Sequence, residues 1–92
     1  MSPTVLDHRQ LNRYEARVGS ELAGVAAYEL SDGLITFTHT VVEDAYEGQG
    51  VGSALARFAL DDARARQLAV LPRCPFIKGW IDRHPDYGDL LE

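Results

Sequence analysis

The sequence predicts an α/β (α+β) domain in the order β-β-β-α-β-α, an antiparallel meander followed by a parallel βαβ unit. Three observations predict it. Alternating or β-rich runs are separated by turn residues up to Val42, with Asp32-Gly33 as the sharpest turn. A glycine-rich segment, Glu47-Gly48-Gln49-Gly50-Val51-Gly52-Ser53, then leads from a strand-like run into a helix-like one. A short apolar run, Leu68 to Leu71, follows that helix, and strand–helix–strand implies a right-handed parallel crossover.

Residues 1–10 show no clear periodicity and read as a lead into the first strand. From Leu11 to Val18, Tyr14, Ala16 and Val18 alternate with Arg13, Glu15 and Arg17, the period of a half-buried strand. Leu22 to Leu30 is mostly apolar and reads as a more buried strand with Gly24 as its bulge. Asp32-Gly33 supplies the positive φ that a tight hairpin needs. Leu34 to Val42 is rich in β-branched and aromatic residues, with Ile35, Phe37, His39 and Val41 on one face.

In the helix Val51 to Gln67, Val51, Leu55, Phe58, Ala59 and Ala63 form a core-facing stripe. Arg57, Asp61, Arg64 and Arg66 cover the outer face, and Asp62 is placed to pair with Arg66 one turn on. Pro72-Arg73-Cys74-Pro75 is a rigid loop, after which Phe76, Ile77, Trp80 and Ile81 space a second helix that His84-Pro85 ends.

Composition bounds the function. Ninety-two residues read as one domain, 1–92, and a net charge of −5 with eight scattered arginines argues against nucleic acid. The acidic balance is compatible with an amine substrate. One cysteine, Cys74, excludes an internal disulfide and fits a reducing, cytoplasmic setting. No apolar run approaches the ~18 residues of a membrane span, and Met1-Ser2-Pro3-Thr4 does not read as a signal peptide. The histidines and the cysteine lack ligand spacing, so no metal site is expected.

The glycine segment carries the chemistry. The first N–H groups of a helix have no intrahelical acceptor, and the macrodipole adds about half a positive charge there. Glycines let the backbone approach an anion without a Cβ in the way, which makes a phosphate cradle. The P-loop pattern fails because the only lysine is Lys78. The dinucleotide pattern fails because Ser53 or Leu55 stands at its third glycine. What remains is x-x-G-x-G before an amphipathic helix, which resembles the pyrophosphate-binding signature of the GNAT acetyltransferases. Their pattern usually opens with Gln or Arg, and Glu47 stands at that position.

The element order matches the central part of the GNAT fold, and the chain is closer still to a small single-domain GNAT-like group, the YjdJ type. Thr38-His39-Thr40-Val41-Val42, the cradle with its helix, and Cys74-Pro75-Phe76 through Arg83-His84-Pro85-Asp86-Tyr87 carry that resemblance. It implies a minimal GNAT-like domain that binds acetyl-CoA and transfers acetyl to an amine acceptor, as a monomer or homodimer. It further implies that strands 34–42 and 68–71 splay apart past the cradle. The pantetheine arm would pair near Val41 and Val42, and the pyrophosphate would sit on Gly48, Gln49, Gly50, Val51, Gly52 and Ser53.

Cys74 follows the second splayed strand and reads as acetyl-accepting nucleophile, pocket lining or plain core; Arg73 and the helix N-terminus beside it favour a thiolate. His39 reads as a packed core group or as the base that deprotonates the amine, since an imidazole exchanges protons near neutrality. Glu29 is a weaker candidate for the same task. Many GNATs use a tyrosine as acid toward the leaving thiol; counted from Cys74, its position is Ile81, and Tyr87 is the available substitute. Larger GNATs build the acceptor pocket from two N-terminal helices and C-terminal strands, whereas about ten residues precede the first strand here. Two readings follow: an N-acetyltransferase with an open site, and a CoA-binding module with little or no catalysis. A structural domain without a cofactor is the third.

Overall fold

Asp32 and Gly33 close a tight hairpin: Ser31 pairs with Leu34 across it, and Gly33 takes φ +68°. A computed structural model describes residues 3–92 and builds on that hairpin a single sheet in the order β1-β2-β3-β4-β5. The strands are β1 (Thr4–His8), β2 (Arg13–Val18), β3 (Glu21–Ser31), β4 (Leu34–Val42) and β5 (Ala69–Pro72). All neighbours run antiparallel except β4 and β5, which are parallel and joined by helix α1 (Val51–Ala65). Helix α2 (Pro75–Arg83) and a 3-10 segment, Pro85–Leu90, complete the order. Among the described residues no helix is long and apolar enough to cross a membrane.

The expected meander is therefore present with one strand more. Thr4–His8, read as a lead, is an edge strand paired from Thr4 with Arg17 to His8 with Arg13. Its alternation is hidden because a carboxylate takes an inward position. Val5 packs against the core, whereas Asp7, on the same face, accepts a hydrogen bond from Tyr28 at 2.6 Å. β2 starts at Arg13 rather than Leu11, because Leu11 ends a 3-10 turn and Asn12 is left-handed at φ +53°.

Two irregularities shape the sheet. Ala16 pairs with Gly24 and Arg17 with Leu22, so the unpaired residue is Ala23, next to the expected Gly24. Gly24 is itself required by packing, since a Cβ there would lie 2.8 Å from the Val41 carbonyl oxygen. On β4, Ala27 pairs with His39 and Tyr28 with Phe37, leaving Thr38 as the extra residue. Ile35 and Phe37 are buried, but beyond Thr38 the alternation is inverted. Thr40 and Val42 turn toward the helices, and His39 and Val41 are exposed. The expected common face of Ile35, Phe37, His39 and Val41 breaks at that point.

α1 buries Val51, Leu55, Ala56, Ala59, Leu60 and Ala63 against the sheet. Phe58, expected in that stripe, is 39% exposed and meets Tyr14 edge-on at 5.9 Å. Three alanines let the helix lie close to the strands, which leaves the large ring at the margin. Tyr14 donates to Asp62 at 2.7 Å and so ties β2 to α1; Arg66 lies 3.4 Å from Asp62, as expected, and 3.5 Å from Asp7. From α2, Ile77, Trp80 and Ile81 enter the core.

The opposite face of β2 holds Glu15, which is 2% exposed beneath its own neighbours. It accepts from His8 Nδ1 at 3.0 Å, Arg13 Nε at 2.8 Å and Arg17 Nη2 at 3.2 Å. Burial pushes its pKa up, but the three donors outweigh that and hold it at about 2, below the ordinary 4.5. Its contribution to stability is therefore complete above about pH 4.5 and is lost as pH falls toward about 2. Glu15→Gln should cost about 1–3 kcal/mol at pH 7. In urea denaturation, the difference from wild type should shrink through that window, and a constant difference would contradict the assignment.

Candidate functional site

Parallel pairing of β4 with β5 runs only from Leu34–Ala69 to Phe37–Pro72. One further link, from the Cys74 amide to the Phe37 carbonyl at 3.0 Å, closes the seam. Beyond it β5 has ended, and among the described residues Thr38–Val42 pairs with β3 alone. The expected splay of two running strands is not seen: β5 pairs along its whole length and ends at Pro72, and β4 continues past the Thr38 bulge with an open edge.

Past Val42 the chain makes a 3-10 turn, Asp44–Tyr46, and enters the glycine segment. Gly48 and Gly50 are left-handed, at φ +79° and +80°, a conformation that strains any residue with a Cβ. The Gln49 side-chain amide donates back to the Ala45 carbonyl at 3.3 Å, and Tyr46 donates to Glu21 on β3. Both contacts hold the loop in place.

Gly50 is the N-cap of α1 and has no side chain to cap it. The first bond of the helix, Ala54 amide to Gly50 carbonyl, spans 3.0 Å, so the amides of Val51, Gly52 and Ser53 precede the ladder. They border a cleft of about 400 Å³. Val42, Val51 and Phe76 form its apolar walls, Gly48, Gly50, Gly52 and Ser53 its backbone side, and Tyr46 and Glu47 its rim. Phe76 lies directly over Gly52: a Cβ there would fall 2.7 Å from Phe76 Cζ, so the ring would have to move aside. No lysine or arginine lines the cleft, so attraction for an anion rests on oriented amides and the helix dipole.

Six of the residues expected to hold a cofactor meet here: Val42, Gly48, Gly50, Val51, Gly52 and Ser53. Two point elsewhere. Val41 is 45% exposed on the other face of β4, and Gln49 turns back to Ala45. Phe76 and Tyr46 line the cleft without having been expected there. A signal for Phe76 existed in Gly52, a helical glycine that implies a large neighbour, but nothing local says which one.

The expected catalytic pair does not come together. Cys74 is 2% exposed at the N-cap of α2, with Sγ 3.1 Å from Thr40 Oγ1. His39 stands exposed on the far face of β4, with Nδ1 3.4 Å from Thr38 Oγ1. Glu29 is exposed beyond it on β3, opposite Thr36. Ile81 is buried in the core. Tyr87 donates to Asp61 at 2.7 Å, and this bond, ahead of burial, raises its pKa. His84 Nδ1 donates to the Trp80 carbonyl at 2.7 Å.

Burial should make the Cys74 thiol inert in the native state. With Ellman's reagent it should react roughly a hundredfold or more slower than in the unfolded chain. Equal rates would mean that the thiol is open to solvent.

Comparison with known proteins agrees with this architecture. Residues 13–90 match the family described as GCN5-related N-acetyl-transferase. Protein NATD1 of Mus musculus is 30% identical over 86 residues, covering 90% of this chain and 78% of that protein. A GCN5-like protein from Staphylococcus aureus, solved by NMR, superposes with a TM-score of 0.73 at 24% identity. That match covers 97% of this chain and 87% of the other. By a family match that spans most of its length, the chain belongs to the GCN5-related N-acetyltransferases.

Proposed function

We propose that the protein is an acetyl-CoA-dependent N-acetyltransferase acting on an amine presented at the helix-free face of the sheet. The observation that carries this reading is the uncapped N-terminus of α1, opened by two left-handed glycines onto the cleft. Its donor set fits a pyrophosphate, because the amides there lack acceptors and no side chain fills the space above Gly48 or Gly50. When bound, acetyl-CoA would supply an acetyl group activated as a thioester.

The chain's own residues divide the remaining work. Gly48 to Ser53 hold the anion through the backbone, and Val42, Val51 and Phe76 exclude water from its apolar neighbour. The open edge of β4 near Val41 and Val42, on the side away from β3, would offer main-chain groups to the amides of the pantetheine arm, as an added strand would. His39, on the stretch of β4 beyond the end of β5 and open to solvent, takes the proton that the acceptor nitrogen loses when it forms the amide bond. Cys74, buried in the core and bonded to Thr40, packs rather than attacks, so acetyl would pass directly from thioester to amine, with CoA leaving as the thiolate and taking a proton from solvent. The lone cysteine suits a reducing, cytoplasmic setting.

A second reading, a CoA-binding module with little catalysis, draws on one observation. The side chain at the usual tyrosine position is the buried Ile81, and Tyr87 is engaged with Asp61. The distinction is measurable.

Calorimetric titration should give micromolar binding of CoA and acetyl-CoA to the wild type. Gly50→Asp, which places a carboxylate beside the expected phosphates, should weaken it by about a hundredfold. Equal binding by both would remove the cradle from the mechanism. In an amine screen read by thiol release, His39→Ala should lower transfer by roughly 10²-fold or more, and Cys74→Ser should retain it. Binding without any amine-dependent thiol release would favour the module.

A further inference from the structure

Trp80 is fully buried in α2, and its indole is clamped on several sides. His84 stacks on one face, with centroids 3.7 Å apart and planes 12° apart. The Arg57 guanidinium carbon lies 5.4 Å from the ring centroid, and Tyr87 meets the ring edge-on at 5.1 Å. So held, the indole N–H donates to Ser53 Oγ at 3.3 Å. An indole N–H can only donate, which fixes the direction of this bond. The serine oxygen accepts, and its own hydrogen must point elsewhere. Ser53 lines the cleft at the third position of α1, and among the described residues its side chain makes no other hydrogen bond.

We propose that Trp80 is a positioning residue for the cradle: by donating to Ser53 Oγ it turns the serine hydroxyl hydrogen toward the cleft, where it donates to the bound phosphate anion. The inference rests on the acetyl-CoA reading above. Successive bonds in one direction, from indole to hydroxyl to anion, polarise one another and strengthen the last of them. A bond to a charged acceptor is also stronger than a neutral one. The arrangement adds a side-chain donor to a cleft that no lysine or arginine lines.

The test is CoA titration of wild type, Trp80→Phe, Ser53→Ala and the double variant, with phosphorus NMR of each complex. Phe keeps the ring and deletes the N–H. Ser53→Ala should weaken CoA about tenfold, Trp80→Phe about threefold or more, and the double variant no more than Ser53→Ala. In both single variants the pyrophosphate resonances should move while the ribose phosphate resonance stays. A purely structural tryptophan would not produce that selective shift.

Wild-type affinity in Trp80→Phe, additive losses in the double variant, or uniform shifts of all phosphates would overturn the inference. No CoA binding by the folded wild type would overturn the acetyl-CoA reading and this one with it. Should Trp80→Phe not fold, Ser53→Ala carries the test through the chain's one tryptophan. CoA should then change Trp80 emission in the wild type and not in Ser53→Ala. An equal change in both, or equal affinity, would overturn it.

Discussion

At Thr38 the fourth strand carries one residue more than its partner, and much of the site depends on that insertion. Before it, β4 pairs on both sides; after it, β4 keeps β3 and leaves β5. The bulge inverts which side chains face the helices, bringing Thr40 to Cys74 and Val42 to the cleft. It also sends His39 and Val41 to the helix-free face. An unpaired strand edge is ordinarily an aggregation hazard. Here the exposed main chain is short, Thr38 to Val42, and ends at the cleft that Val42 lines.

The cleft at the start of α1 presents backbone donors rather than basic side chains. Its bordering side chains include Glu47 and no basic residue, and the whole chain carries a net charge of −5. A phosphate bound there would meet no basic side chain in the lining, so its affinity would have to come from the oriented amides of Val51, Gly52 and Ser53. Gly48 and Gly50 allow that aim through their left-handed φ, and Gly52 allows it by leaving room for Phe76. Neighbouring contacts reduce the motion of the loop: Gln49 to Ala45, Tyr46 to Glu21 and Trp80 to Ser53. Preorganisation of this kind lowers the ordering entropy that binding must overcome.

A small domain of this size has a modest core, and polar links between layers supplement it. Tyr14 to Asp62 joins β2 to α1, and Tyr28 to Asp7 joins β3 to the edge strand. Burial, with the hydrogen bond to Asp7 second, pushes the Tyr28 pKa up to about 12. Burial and Asp62 act likewise on Tyr14. Both phenols thus remain protonated donors at neutral pH. Glu15 does the corresponding work on the opposite face, where His8 of β1 and Arg13 and Arg17 of β2 converge on one carboxylate.

The sequence by itself determined the meander, the crossover and the glycine turn that opens α1. Each is a local signal: Asp32-Gly33 for the hairpin, Gly48-Gln49-Gly50 before an amphipathic run for the start of α1, Pro75 for the start of α2. Such signals are legible because φ preferences and hydrophobic period act over a few residues. The strand Thr4–His8 escaped that reading, since inward-facing Asp7 breaks the apolar alternation and two of its partners, Tyr28 and Arg66, lie far along the chain. Phe58 left its stripe because three alanines drew the helix close to the sheet. The Thr38 bulge was equally invisible, because a bulge is a mismatch between two strands and neither strand encodes it alone. That mismatch separated His39 from Cys74, brought Cys74 to Thr40 and placed Phe76 over Gly52 only once α2 had docked. Which residues share a cleft depends on how distant segments pack, and here only the tertiary structure decided it.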